Sequence, residues 1–299
     1  MRFANLTKQF SRKNLPESEV EFVGEVPAET LTPYRQRALS EISAELELPG
    51  FRKGKVPTDM VGKHVGELSV LEEAVNLFAR DFYPELVEIQ KIDVVGRPQV
   101  TITKLAPGNP VGLTIRTAVY PQVKPAGDWK KIGENIPLEP YIGELPKMKV
   151  PPSPEEEQKA REYLARDKRR GAIIEHLLEK TKVEVPRVFV ESELEKIMGQ
   201  LKDDVKRFGT TFEGYLKQIG KTEEQLRADF RAQAEKRAKL QLVLNKIAEV
   251  EGIEADKEAV EKEMKHALQH FPSANPELLQ IHVTTVLRNE KVLKLLEGN

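Results

Sequence analysis

Gly50-Phe51-Arg52-Lys53-Gly54-Lys55-Val56-Pro57 stands between two stretches of helical periodicity, its two glycines bracketing an aromatic ring and two cations. Unpaired cations resist burial and glycine permits a sharp turn, so the segment reads as a tight protruding tip. Arg52, Lys53 and Lys55 suit contact with phosphate oxygens, while Phe51 can pack on protein or on a nucleobase. Three cations give a shallow salt dependence, with a slope of about two to three, so binding by this loop is expected to be modest and reversible. A solvated helix–helix connection would use the same residue types. A nucleotide loop would not: Gly50-x-x-x-Gly54-Lys55-Val56 is one residue short of a Walker A motif and lacks Ser or Thr after the lysine.

The histidines offer the other hint of chemistry. His266 and His270 lie four apart on a predicted helix, the spacing of a two-point metal site. Position 267 is Ala rather than Glu and no third ligand is evident, so the expectation is an exposed helix face without a metal. His64, His176 and His282 are isolated, and no Ser/His/Asp grouping emerges. The chain has no cysteine, which excludes disulfides, thiolate catalysis and Cys-based zinc sites. No catalytic residue and no cofactor is expected.

Two blocks of structure must position these residues. Residues 1–120 read as α+β, a small antiparallel sheet with helices. Phe3 to Arg12 is expected as a first strand and Glu19 to Val26 as a second, with Val20, Phe22 and Gly24 on one face. Pro27-Ala28-Glu29 opens a helix in which Leu31, Tyr34, Arg35, Ala38, Leu39, Ile42 and Leu46 recur at helical spacing; Leu48-Pro49-Gly50 ends it. A second helical stretch from Pro57 to Ile89 breaks near Gly66 and carries the stripe Leu68, Leu71, Val75, Phe78, Phe82 and Leu86. Strands Gln99 to Leu105 and Val111 to Tyr120 form a hairpin around Pro107-Gly108-Asn109-Pro110.

From Pro121 to Pro154 proline is dense and periodicity fades, which predicts an extended linker. Residues 155–299 read as all-α. Glu155 to Thr181 is rich in helix formers, and Pro186 suits the first turn of a helix carrying Val190, Leu194, Ile197, Met198, Leu201, Val205 and Phe208 until Gly209. Phe212 to Ile219 is a short helix. Thr222-x-x-Gln225 is a capping box that starts a long one to Val250. Asp256 to His270 and Pro276 to Glu297 complete the set, the latter with Asn275 as N-cap.

Hydrophobic residues make up 39% of the 299 and charged residues 32%, the polar side of globular usage, which favours an elongated fold with much surface per unit of core. A net charge of −1 excludes a global electrostatic grip on nucleic acid, so any such grip is local. There is no signal-peptide pattern near Met1 and no run of 18 apolar residues. The expectation is a cytoplasmic protein with no membrane partner.

The string GFRKGKVP resembles the ribosome-docking signature of the trigger factor family of chaperones. The surroundings agree in order, from the strands and helix before it to Thr117-Ala118-Val119-Tyr120-Pro121-Gln122-Val123. Val183-Glu184-Val185-Pro186 and Val190-Glu191-Ser192-Glu193-Leu194 extend the resemblance into the C-terminal half, so it covers roughly 1–132 and 155–299. The resemblance implies that Gly50, Phe51, Arg52, Lys53, Gly54 and Lys55 meet a ribosomal protein and rRNA of the large subunit at the exit tunnel. It also implies an α+β head and a two-armed helical body that holds nascent or unfolded polypeptides without ATP, with room for a weak homodimer.

One departure is large: family members usually carry an FKBP-like prolyl isomerase domain, on the order of 80–110 residues, between these halves. Here only Pro121 to Pro154 intervenes, so no isomerase activity is expected. For clients, the expected contacts are Ile197, Met198, Leu201, Phe208, Phe212 and Tyr215, although core packing explains most of the same stripe. The rival readings are a prolyl isomerase-type folding factor and a ribosome-associated assembly factor that never holds clients.

Overall fold

Alternation in Glu19–Val26 sends Val20 and Phe22 to one face, and this strand, β2, pairs antiparallel with β1 (Ser11–Leu15) on one side. On its other side lies β4 (Val111–Val119), which pairs in turn with β3 (Val94–Lys104), giving the order β1-β2-β4-β3. The structure, a computed structural model, describes residues 2–49, 51–54, 56–145 and 153–298. It contains two compact units, 1–121 with 186–188 and 122–185 with 189–299.

In the first unit α1 (Ala4–Thr7), α2 (Ala28–Glu45), α3 (Thr58–Val65) and α4 (Glu67–Gln90) accompany the sheet. The long α4 buries Val70, Leu71, Ala74, Val75, Leu77, Phe78, Phe82 and Leu86 against Phe22, Val26, Leu113 and Ile115 of the strands. Leu68, expected in that stripe, is exposed, because Val70 and Leu71 take the inward positions of the first turn. The expected first strand from Phe3 to Arg12 is replaced by α1 and the later β1. Phe3, Leu6 and Phe10 have helical spacing, and Phe3 packs edge-on to Phe78 and Phe82 while Phe10 lies against Phe82. The Glu85 carboxylate accepts the N–H groups of Arg2 and Phe3, which holds the start of that turn. Phe10 also lies against Gly24, where a Cβ would stand 2.6 Å from the ring. Strand β3 begins earlier than expected, since an irregularity between Val95 and Gln99 accommodates Gly96 and Pro98.

In the second unit α6 (Pro154–Lys180), α7 (Arg187–Arg207), α8 (Phe212–Ile219), α9 (Glu223–Glu251), α10 (Lys257–His270) and α11 (Pro276–Glu297) follow α5 (Ile132–Asn135). Local signals set their ends. Ser153–Glu156 and Thr222–Gln225 form complete capping boxes, and Asp256 and Asn275 cap α10 and α11. Gly220 and Gly252 close α8 and α9 in the left-handed conformation.

Residues 123–136 differ from the extended linker expected over Pro121–Pro154. Val123, Ala126, Trp129 and Ile132 are buried with Ile173, Leu177, Leu242, Ile247, Val292 and Leu296 of the helices. Lys124 makes a bridge to Lys182. Arg169 donates to the carbonyls of Gly133 (2.7 Å), Ile136 (2.8 Å) and Glu297 (3.1 Å), tying this segment to α6 and α11. The apolar residues recur every third position there, a pattern that proline density hides but packing uses. Residues 146–152 of the expected linker lie outside the described residues.

Candidate functional site

The cationic loop is anchored at its base and free at its tip. Helix α2 ends at Glu45, after which Leu46 and Leu48 pack partly buried against the core of the first unit. On the return side Val56 is buried, and the Ser43 hydroxyl donates to its carbonyl across 2.7 Å. Between these anchors Phe51 is 37% exposed, and Arg52, Lys53 and Gly54 are exposed as well. Gly54 adopts φ +76°, a left-handed conformation that the turn back toward Val56 requires. Among the described residues no carboxylate pairs with Arg52 or Lys53. Gly50 and Lys55, the other two residues expected at this site, lie outside the described residues.

The helices beneath the loop are cross-braced. Arg35 of α2 grips Glu67 of α4 through two bonds of 2.7 and 2.9 Å, and these bonds lower the Glu67 pKa below the usual glutamate range. Tyr34 and Arg37 both reach Asp81 at 3.0 Å, and burial together with that carboxylate raises the Tyr34 phenol pKa. The result is a rigid base carrying an aromatic ring and two unpaired cations into solvent. Such a tip can meet phosphate groups and an apolar recess together.

The six residues expected to meet clients separate into three groups. Ile197 and Met198 are buried, Met198 to 1% exposure, in a cluster with Val190, Leu194, Leu226 and Ala234 between α7 and α9. Their burial corrects that expectation: α9 covers the inner face of α7, so these side chains pack the core. Leu201, Phe212 and Tyr215 are partly buried against the same cluster, and Lys202 stands over the Phe212 ring at 4.8 Å. Phe208 alone of the six is fully open, at 88%.

Other exposed apolar residues escaped the sequence reading. Leu278 (67%) and Ile281 share one exposed face of α11, Val286 follows, and Phe271 sits at the end of α10. A signal was present: α11 is apolar on more than one side, with Leu278, Leu279, Ile281, Val283, Val286 and Leu287, and one core-facing stripe cannot use them all.

His266 and His270 are exposed as expected, and among the described residues no group of three or more His, Asp or Glu side chains could hold a metal ion. No described helix is long and apolar enough to cross a membrane.

Comparison with known proteins gives two family models. "Bacterial trigger factor protein (TF)" matches residues 8–137 and "Bacterial trigger factor protein (TF) C-terminus" matches 154–296. Only residues 138–153 separate the two matches, far too few for another folded domain. The trigger factor of Desulforudis audaxviator is similar at 23% identity, over 97% of this chain and 96% of its own. That alignment spans 424 positions against the 299 residues here, so the relative has well over a hundred residues without a counterpart. The trigger factor of Caldicellulosiruptor bescii is 22% identical over 83% of this chain and 85% of its own. The trigger factor of Corynebacterium diphtheriae is 33% identical, over 38% of this chain and 25% of its own. A solved structure titled for promiscuous substrate recognition in the folding and assembly activities of the trigger factor chaperone superposes with a TM-score of 0.59. At 16% identity, over 97% of this chain and 99% of that one, it shows a shared fold.

Proposed function

This chain belongs to the trigger factor family, as a member without the FKBP-like isomerase domain, and from that premise we propose that it docks at the ribosomal exit tunnel and holds nascent or unfolded polypeptides without ATP. One observation carries the docking half: Phe51, Arg52 and Lys53 protrude, uncompensated, from a base fixed by Val56 and Ser43. The ring fills an apolar recess on a ribosomal protein while the cations, Lys55 included, lie along rRNA phosphates. With so few cations the contact is weak enough to release, and its salt slope is about two to three.

Replacing Phe51, Arg52 and Lys53 by Ala is expected to abolish co-sedimentation with ribosomes while leaving the far-UV CD spectrum unchanged. Undiminished co-sedimentation would remove the loop from the function.

Clients are held by dispersed apolar side chains, with Phe208, Phe271, Leu278 and Ile281 among the exposed ones and the buried pair in α7 left out. Each client side chain covered is worth roughly 1.5–3 kcal/mol before entropic costs, so several separated patches give binding that is broad and releasable. Phe208→Ser combined with Leu278→Ser and Ile281→Ser is expected to weaken suppression of aggregation of a denatured protein several-fold. A full effect retained by this variant would favour a ribosome-associated assembly factor over a holding chaperone. The proposal includes no catalysis: proline isomerisation in a protease-free peptide assay is expected at the uncatalysed rate.

A further inference from the structure

The last turns of α10 carry two imidazoles for which the fold has no evident use. His266 and His270 are both exposed, their ring centroids lie 4.8 Å apart, and the rings are inclined at 71°. A four-residue interval puts both on one face of the helix, one turn apart. Neither has a hydrogen-bond partner or an ion pair among the described residues.

We propose that His266 and His270 form a two-point site for a borderline divalent transition ion of the Zn²⁺, Ni²⁺ or Cu²⁺ class, with water completing the coordination. The ring separation fits that use. A metal–nitrogen bond of about 2.0–2.1 Å places an ion roughly 3.2 Å from each ring centre. Two centres 4.8 Å apart lie within the roughly 6.4 Å that two such arms can span, so side-chain rotation can turn one nitrogen of each ring toward a shared ion. Imidazole nitrogen selects this class of ion over Ca²⁺ and Mg²⁺, which take oxygen ligands. With two protein ligands and no third in place, the ion is held reversibly. Bound there, it closes a ring across one helical turn and braces the end of α10 beside Phe271. This site is independent of the cationic loop.

The test uses the full chain without a polyhistidine tag, titrated with NiCl₂ or ZnCl₂ in a non-chelating buffer and followed by calorimetry. Cu²⁺ electron paramagnetic resonance reports nitrogen ligation directly. One equivalent is expected to bind, with nitrogen hyperfine structure in the copper spectrum. His266→Gln or His270→Gln should each weaken binding roughly tenfold or more, whereas His282→Gln should leave it unchanged; far-UV CD checks that the variants stay helical. Absence of binding, or binding that survives the double replacement of His266 and His270, would overturn the proposal.

Discussion

The tip of the cationic loop and the middle of α7 both place large apolar side chains beside positive charges, yet they meet opposite fates. Around Phe51 the neighbours Arg52 and Lys53 have no partners among the described residues, and no element lies over them. Along α7 the facing helix α9 supplies Leu226 and Ala234 as apolar partners for Ile197 and Met198. Arg227 and Arg231 of α9 then pair with Glu191 and Glu195 of α7 and seal the edge of that contact. Exposure of an apolar residue therefore follows from whether a second apolar face is supplied, and only secondarily from its own type.

Three measurements sharpen or break this contrast. Met198→Ala leaves a cavity between α7 and α9 and is expected to cost about 2–5 kcal/mol, read as a lower midpoint in urea unfolding followed by helical CD. If the midpoint holds, α7 and α9 do not pack as described and Met198 returns as a client contact.

Ser43→Ala tests the anchor of the loop rather than its tip. The Val56 carbonyl would lose its buried donor at an expected cost of about 1–3 kcal/mol, with ribosome binding weakened because the base loosens. Unchanged stability together with unchanged docking would show that the tip needs no fixed base.

The smallest effect concerns the brace between α2 and α4. Hydrogen bonding from Arg35 lowers the folded pKa of Glu67, so its stabilisation is complete above the ordinary glutamate range. That contribution is lost as pH falls through the lower folded value. Both side chains are about two-fifths exposed, so Glu67→Gln should cost at most about 1 kcal/mol at neutral pH. The difference from the parent chain should vanish in strong acid, and a difference that persists there would assign the brace to packing instead of charge.

The exposure of the cationic loop was readable because its message is local. Two glycines, two cations and a flanking proline specify a turn that must stay in water, whatever surrounds it. Which apolar side chains stay open was harder to read, because Ile197 and Phe208 belong to one periodic run, yet Ile197 lies within α7 opposite α9 while Phe208 falls just past the end of that helix. Trp129 and Ile132 illustrate the same limit. Their segment lacks helical or strand periodicity over any useful length, yet Leu177, Leu242 and Leu296 come from three distant helices to cover them.

The sequence by itself determined where helices begin and end, through Ser153, Thr222, Asp256, Asn275, Gly220 and Gly252, and it determined that Arg52 and Lys53 would face water. Capping, left-handed turns and charge solvation act over a few residues, so neighbouring residue types settle them. Only the tertiary structure decided that Met198 is core while Phe208, Leu278 and Ile281 are open, and that residues 123–136 pack against helices. Burial requires a partner surface, and that surface comes from residues far away along the chain.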